Sequence, residues 1–454
     1  MKRIGLRLLV ASSLLLAGRP SAATRPHYGG TLRVAIQGAP TSLDPADPTQ
    51  PEDRTRANLT RLIFDTLVTL DARGKSQPAL ATFWLAEPSN QRWQFSLRPG
   101  IRFHDGSPLT SDAAAASLRM ANPNWKVLPL GDAVMIETDS PGPNLPAELA
   151  LARNAIVKRD AKLLGTGPFA IADWQPGKKL TLSAQEGYWG GRPLLDSIEI
   201  EMGRNFREQL IALDLGRADV VEIAAEQAHR AAAEGRRVVD STPAELLALV
   251  FMKDRQSPED GRLRQALALS IDRQSIKNVL LQGQGEPAGG VLPNWMTGYA
   301  FLFPVNADPQ RARQERSEVR QAVTWTIGYD GNDPLARLVA ERVVLTARDA
   351  GITLQVTVAN TAEVRLVRIP LAALDARLAL MRAAAALGLP EPKLTGHSAE
   401  DLYSAESALL QSQRVIPLLH LPVSYGLGGA VRNWHQDALG TWRLEDAWVS
   451  SDKP

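Results

Sequence analysis

The 454-residue sequence contains no cysteine, which excludes disulfides, thiolate metal sites, a thiol nucleophile and a lipid-bearing cysteine at a leader cut. Packing alone must hold the chain. An excess of one charge is missing too, with 51 Lys and Arg facing 49 Asp and Glu. Lys2, Arg3, Arg7 and Arg19 precede the expected leader cut, so the rest carries 47 basic against 49 acidic residues, about −2. That balance argues against a nucleic-acid binder. Apolar runs long enough to span a bilayer are absent: Leu8 to Ala17 is about half of the roughly 20 residues required.

What is present at the N-terminus is a basic segment, Met1 to Arg7, then that short apolar run, then the small residues Ser21, Ala22 and Ala23. The order is that of a cleavable secretory leader over residues 1–23, cut before Thr24. A periplasmic protein without a lipid anchor is the expectation. The remaining length, 44% hydrophobic and 22% charged, suffices for two or three cores.

Elements alternate along that length. Leu32, Val34 and Ile36 alternate with Thr31, Arg33 and Ala35, as in a strand with one buried face. Pro40, Pro45, Pro48 and Pro51 forbid regular structure before a helical run from Arg56 to Leu67. Trp93, Phe95 and Leu97 alternate, and Pro99 and Gly100 form a turn into Ile101 and Phe103, which predicts a hairpin. Asp105 and Gly106 make a further turn, and Thr110 caps a helix that runs to about Met120 and ends at Asn122 and Pro123.

Further on, strands are expected at 169–171, 180–182 and 197–202, and a helix from Arg207 to Leu215 closed by Gly216. Helices follow at 262–270, after Asp272, at 335–349, at 372–387 and at 399–412, with a strand at 352–358. Repeated helix, glycine and strand order points to α/β lobes.

Four blocks carry a resemblance. GGTLRVAI from Gly29, WQFSLRPGIRFHDGSPLTSDAAAASL from Trp93, GTGPFAIADWQPGKKLTLSAQEGYWGG from Gly165 and GRLRQALALSIDRQSI from Gly261 stand in order. Together they resemble the family 5 extracellular solute-binding proteins, the oligopeptide- and dipeptide-binding type that serve ABC importers. The resemblance implies an α/β, two-lobed periplasmic-binding-protein clamshell, type II and cluster C-like, with an extra domain inserted in the first lobe. Mapped here it implies a discontinuous first lobe (24–46, 163–252 and 426–454), an insert at 47–162 and a second lobe at 253–425. Two departures stand out. Phe251, Met252 and Lys253 occupy the place of the family's hinge sequence with only Pro258 after them. The stretch from Ala359 to Glu400 holds no Trp, Tyr or Phe, so the second lobe is shortened and the family's peptide-amine anchor is missing.

The function implied is capture of a peptide or similar small ligand between the lobes and delivery to ABC permease subunits, by a monomer without a cofactor or a metal. A second reading makes the chain a degenerate homologue, a scaffold without a small ligand. The candidate contacts are Gln37, Gly38, Ala39 and Thr41 after the first strand, where an extended peptide could pair, and Trp125, Trp295 and Trp325 in irregular stretches. Phe251, Met252, Lys253 and Tyr425 are the expected hinge. Enzymatic signatures fail: GTGPFA is interrupted by Pro168, no two of the six histidines have metal-pair spacing, and Ser270 lacks a nucleophile elbow.

Overall fold

The computed structural model describes residues 25–253, 257–320, 324–359 and 361–450. The expected leader, 1–23, lies outside them. Three sheets organise the rest. In the first, seven strands take the order 169–175, 179–184, 197–201, 31–35, 220–223, 424–427 and 237–240. Strand Thr31–Ala35 sits at its centre, parallel to Ser197–Glu201 and Val220–Ile223. The alternation in the sequence has its cause here, because Leu32, Val34, Leu180, Leu182, Ile198 and Ile200 share one buried cluster.

The second sheet has six strands, ordered 286–287, 415–421, 245–251, 364–370, 324–328 and 353–357. Every residue of Glu245–Phe251 and of Val415–Leu421 is buried. Leu247, Leu249 and Phe251 face the cluster of Leu263, Trp325 and Val343, while Leu246, Ala248 and Val250 face that of Leu371, Leu380 and Ala383. Strands covered on both faces need apolar residues without alternation, which is how ELLALVF reads.

This places the connections between the sheets elsewhere than expected. The chain leaves the first sheet after Asp240 and enters the second at Glu245, then returns between Leu421 and Ser424. The two crossings are bonded side by side: Ser241 N donates to Val423 O (2.9 Å), Val423 N to Ser241 Oγ (2.9 Å) and Ala244 N to Leu421 O (2.9 Å). Phe251, Met252 and Lys253 are therefore not the hinge. They lie at the far end of a central strand, where the Phe251 ring meets Trp325 edge-on at 5.0 Å. Tyr425, two residues past the return crossing, is fully buried in the first-sheet core against Trp434 and Trp442.

Between the first sheet's strands the chain builds a four-stranded sheet, ordered 81–86, 92–97, 133–137 and 126–130. Helix Ser111–Ala121 lies against it, with Thr110 Oγ1 accepting from Ala113 N at 3.2 Å. The expected hairpin across Pro99 and Gly100 does not form. Arg92–Leu97 pairs with Ala81–Ala86 and Ala133–Glu137 instead, and Ile101 and Phe103 fill the same core from a loop. Helix Arg54–Ile63 belongs with the first sheet, because Leu59, Leu62 and Ile63 pack on Leu32 and Val34; the insert's own core starts at Leu67, later than the expected boundary at 47.

The insert touches the second lobe. Leu70, Ala147 and Leu151 share a cluster with Ala373, Leu374 and Leu378, and a Cβ at Gly74 (φ +76°) would stand 2.4 Å from Leu374 O. Gly74→Ala is expected to hold these surfaces apart. Gly100→Ala has a similar φ of +81° but meets nothing within 4 Å, so it carries the backbone cost of roughly 1 kcal/mol alone. Small-angle scattering should show a larger radius of gyration for the first variant only; equal radii would contradict the contact.

Candidate functional site

The site begins with helix Arg54–Ile63. Asp53 caps it, accepting from Arg56 N at 2.8 Å, and its apolar face is committed to the first-sheet core. Arg54, Asn58 and Arg61, at i, i+4 and i+7, fall on another face. The C-terminal tail meets that face: Trp442 N donates to Asn58 Oδ1 at 3.0 Å, and a Cβ at Gly440 would lie 3.5 Å from Arg54 Nε. Because Trp442 is buried in the core, its strand neighbour Arg443 turns the opposite way.

These groups line a cavity of about 270 Å³. Its walls come from the helix, from the insert at Leu70 and Leu151, from the second lobe at Leu371 and Leu374, and from the tail at Asp437 and Arg443. Much of the polar wall is already engaged. Arg153 ion-pairs with Glu52 at 3.4 Å, and Arg56 donates to the carbonyls of Gln50 and Asp47 at 2.8 Å. Asp65 accepts from Trp189 Nε1 (2.8 Å), Thr166 Oγ1 (2.9 Å) and Tyr188 OH (3.2 Å). Burial pushes the Asp65 carboxyl up to about 6 against the pull of those donors and of Arg61, and burial beside Asp65 raises the Tyr188 hydroxyl.

Beside the first crossing, Glu245 receives Arg54 from the first lobe and Arg368 from its own sheet. Its side chain is only 9% exposed. Burial alone would raise this carboxyl, but the Arg368 and Arg54 guanidiniums overcome it and hold it at about 2. The ion triad thus links the lobes next to their covalent connection.

Most of the expected contacts fall elsewhere. Gln37 N donates to Glu222 Oε2 at 2.6 Å, and Gly38 lets the strand exit approach Thr55, whose Oγ1 would be 2.3 Å from a Cβ there. Ala39 lies against Gly203, and Thr41 bonds Gln50, its Oγ1 accepting at 3.0 Å. None of the four lines the cavity. Trp125 packs on the insert core, and Trp325 fills the second-sheet core at 4% exposure. Trp295 comes nearer: it donates to Pro243 O at 2.8 Å and packs with Leu70 and Leu374, just outside the lining. Arg54, Arg61 and Arg443 are not among the expected contacts; the polar stripe at i, i+4 and i+7 on the first helix is a signal for the first two, and Arg443 carries no local one. Among the described residues no cluster of three His, Asp or Glu could hold a metal ion.

Two mixed α/β lobes joined by paired crossings around a cavity define a clamshell binding protein. The family model for bacterial extracellular solute-binding proteins, family 5 (middle), matches residues 75–375, and the chain belongs to that family. Among curated relatives, the "Probable D,D-dipeptide-binding periplasmic protein" of Escherichia coli is 25% identical over 331 residues, 65% of this chain and 64% of that one. The glutathione-binding protein of Pectobacterium atrosepticum is 26% identical over 353 residues, 71% and 68% of the two chains. The match thus spans just under two thirds of the first relative's length. Among solved structures, the NikA protein of Staphylococcus aureus in complex with Ni(L-His)2 superposes with a TM-score of 0.78 at 16% identity, covering 92% of this chain and all (100%) of that one. A Pseudoalteromonas dipeptide-binding protein in complex with Met-Leu gives 0.77 at 17% identity, with 93% and 100% covered.

Glu245→Gln is expected to destabilise the chain by about 3 kcal/mol at neutral pH, because Arg54 and Arg368 stay buried without their counter-charge. Glu245 is depressed from an ordinary 4.5 to about 2, so its contribution is complete above pH 4.5 and disappears as pH falls towards 2. Melting curves of the two proteins should converge across that window. A gap that persists at its acid end would contradict the assignment.

Proposed function

We propose that this protein captures a small solute in the cavity between its lobes and presents it to the permease of an ABC importer. The observation that carries the reading is the cavity itself: about 270 Å³, walled by both lobes, the insert and the tail. Ligand held by both lobes favours the closed form by its extra affinity for that form, and a shift from 1:99 to 99:1 requires about 5.5 kcal/mol. A scaffold without ligand would favour a filled or flat interface, and an open cavity lined by charged side chains argues against it. The reading assigns no bond-making chemistry.

Size narrows the ligand. The cavity is near the lower end of the usual range of roughly 300 to 1,000 Å³. A cavity of that size suits a small solute better than an extended oligopeptide. Dipeptides, glutathione and nickel chelates are what the relatives' names and titles state for those proteins. Action as a periplasmic monomer belongs to the same proposal. No helix among the described residues is long and apolar enough to cross a membrane.

A thermal-shift screen of the intact protein against amino acids, dipeptides, peptides of five to eight residues, sugars and metal chelates tests the reading. A ligand at 100 times its Kd should stabilise by about 2.7 kcal/mol. Hits confined to small solutes are expected. Silence across every class, or hits only among peptides of five residues or more, would overturn it.

A further inference from the structure

Subtracting the committed groups from the cavity wall leaves three. Arg61 lines the cavity, and its Nε is buried without a hydrogen-bond partner. Its electrostatic neighbours are already engaged, Asp65 by three donors and Asp437 by the backbone N–H of Leu439 (3.0 Å) and of Thr441 (2.9 Å). Arg443 enters the same cavity from the tail, and among the described residues its guanidinium makes no hydrogen bond or ion pair. Glu445, two residues on along the same wall and within the field of Tyr188, likewise has a carboxylate without a bonded partner among the described residues. The unpartnered Arg61 Nε costs folding free energy, whereas Arg443 and Glu445 are half-buried.

We propose that the solute is a small acidic amino acid or a close analogue, with two carboxylates received by Arg61 and Arg443 and an ammonium received by Glu445. The proposal rests on the capture reading above and names its substrate class. Two guanidinium forks match two carboxylates, and one carboxylate matches one ammonium. A phosphate dianion would suit the arginines but carries no ammonium to meet Glu445.

Calorimetric titration of the intact protein with L-glutamate, L-aspartate, succinate, L-glutamine and glucose decides the matter. Saturable binding of glutamate or aspartate is expected, at least about 10-fold tighter than glutamine, which keeps the shape but loses one charge. Arg61→Gln and Arg443→Gln should each weaken the acid about 30-fold; Arg443→Gln should leave the unliganded melting temperature unchanged, while Arg61→Gln lowers it modestly because Asp65 and Asp437 lose a compensating charge. Glu445→Gln should weaken glutamate and spare succinate. The unliganded melt separates a lost contact from a lost fold, and the two arginine variants stand as independent tests. Binding of glutamine or glucose without the acids would overturn the substrate class and leave capture standing. Failure of all five probes would overturn the class as well, and the broader screen would then decide capture by itself.

Discussion

Glu245 is the first residue of the second lobe, and it sits buried between a guanidinium of each lobe. A carboxylate in that place is stable only while both arginines are present, so the relative position of helix Arg54–Ile63 and strand Val364–Pro370 is fixed by charge compensation. Everything between those elements inherits the constraint. The paired crossings at 241–244 and 422–423 supply the connection, the Arg54 and Arg368 contacts supply the registration, and the cavity forms in the space enclosed by the helix, the insert and the tail.

The cavity wall has two textures. Its floor is apolar and continuous across the lobes, where Leu70 and Leu151 meet Leu374. Its roof is a lattice of charged groups, most of them paired within the protein. This division suits a small polar solute, because the apolar contact between the lobes favours closure without selecting a ligand, while the few uncommitted charges select one. Removing water from the closing cavity strengthens those charged contacts.

How much of this could be read in the sequence depended on whether a residue's environment was set locally. Leu32, Val34, Ile198 and Ile200 alternate because one face of their strands is buried more deeply than the other, and Thr110 announces its helix by a cap three residues long in reach. The crossing was misplaced because Glu245–Phe251 is buried on both faces and so carries no period, leaving nothing to separate a central strand from a run-up to a hinge. Trp325 and Trp125 drew attention as aromatics but fill cores, the commoner fate of a large apolar ring. The charged wall was invisible for another reason. Arg61 looks like the solvent face of an amphipathic helix, and only a tail that folds back from nearly four hundred residues away, with Trp442 on Asn58, turns that face into the side of a cavity.

The absence of cysteine makes the most direct measurement clean, since two labels can be introduced at will. Met120→Cys on the exposed side of the insert helix and Glu391→Cys on the second lobe give one distance across the clamshell. Pulsed electron resonance on the doubly labelled, ligand-free protein should resolve two populations, a shorter one with Gly74 seated on Leu374 and a longer one with that contact broken. A single distance, unchanged by temperature, pH or any solute, would mean one rigid body, and the capture account would be contradicted.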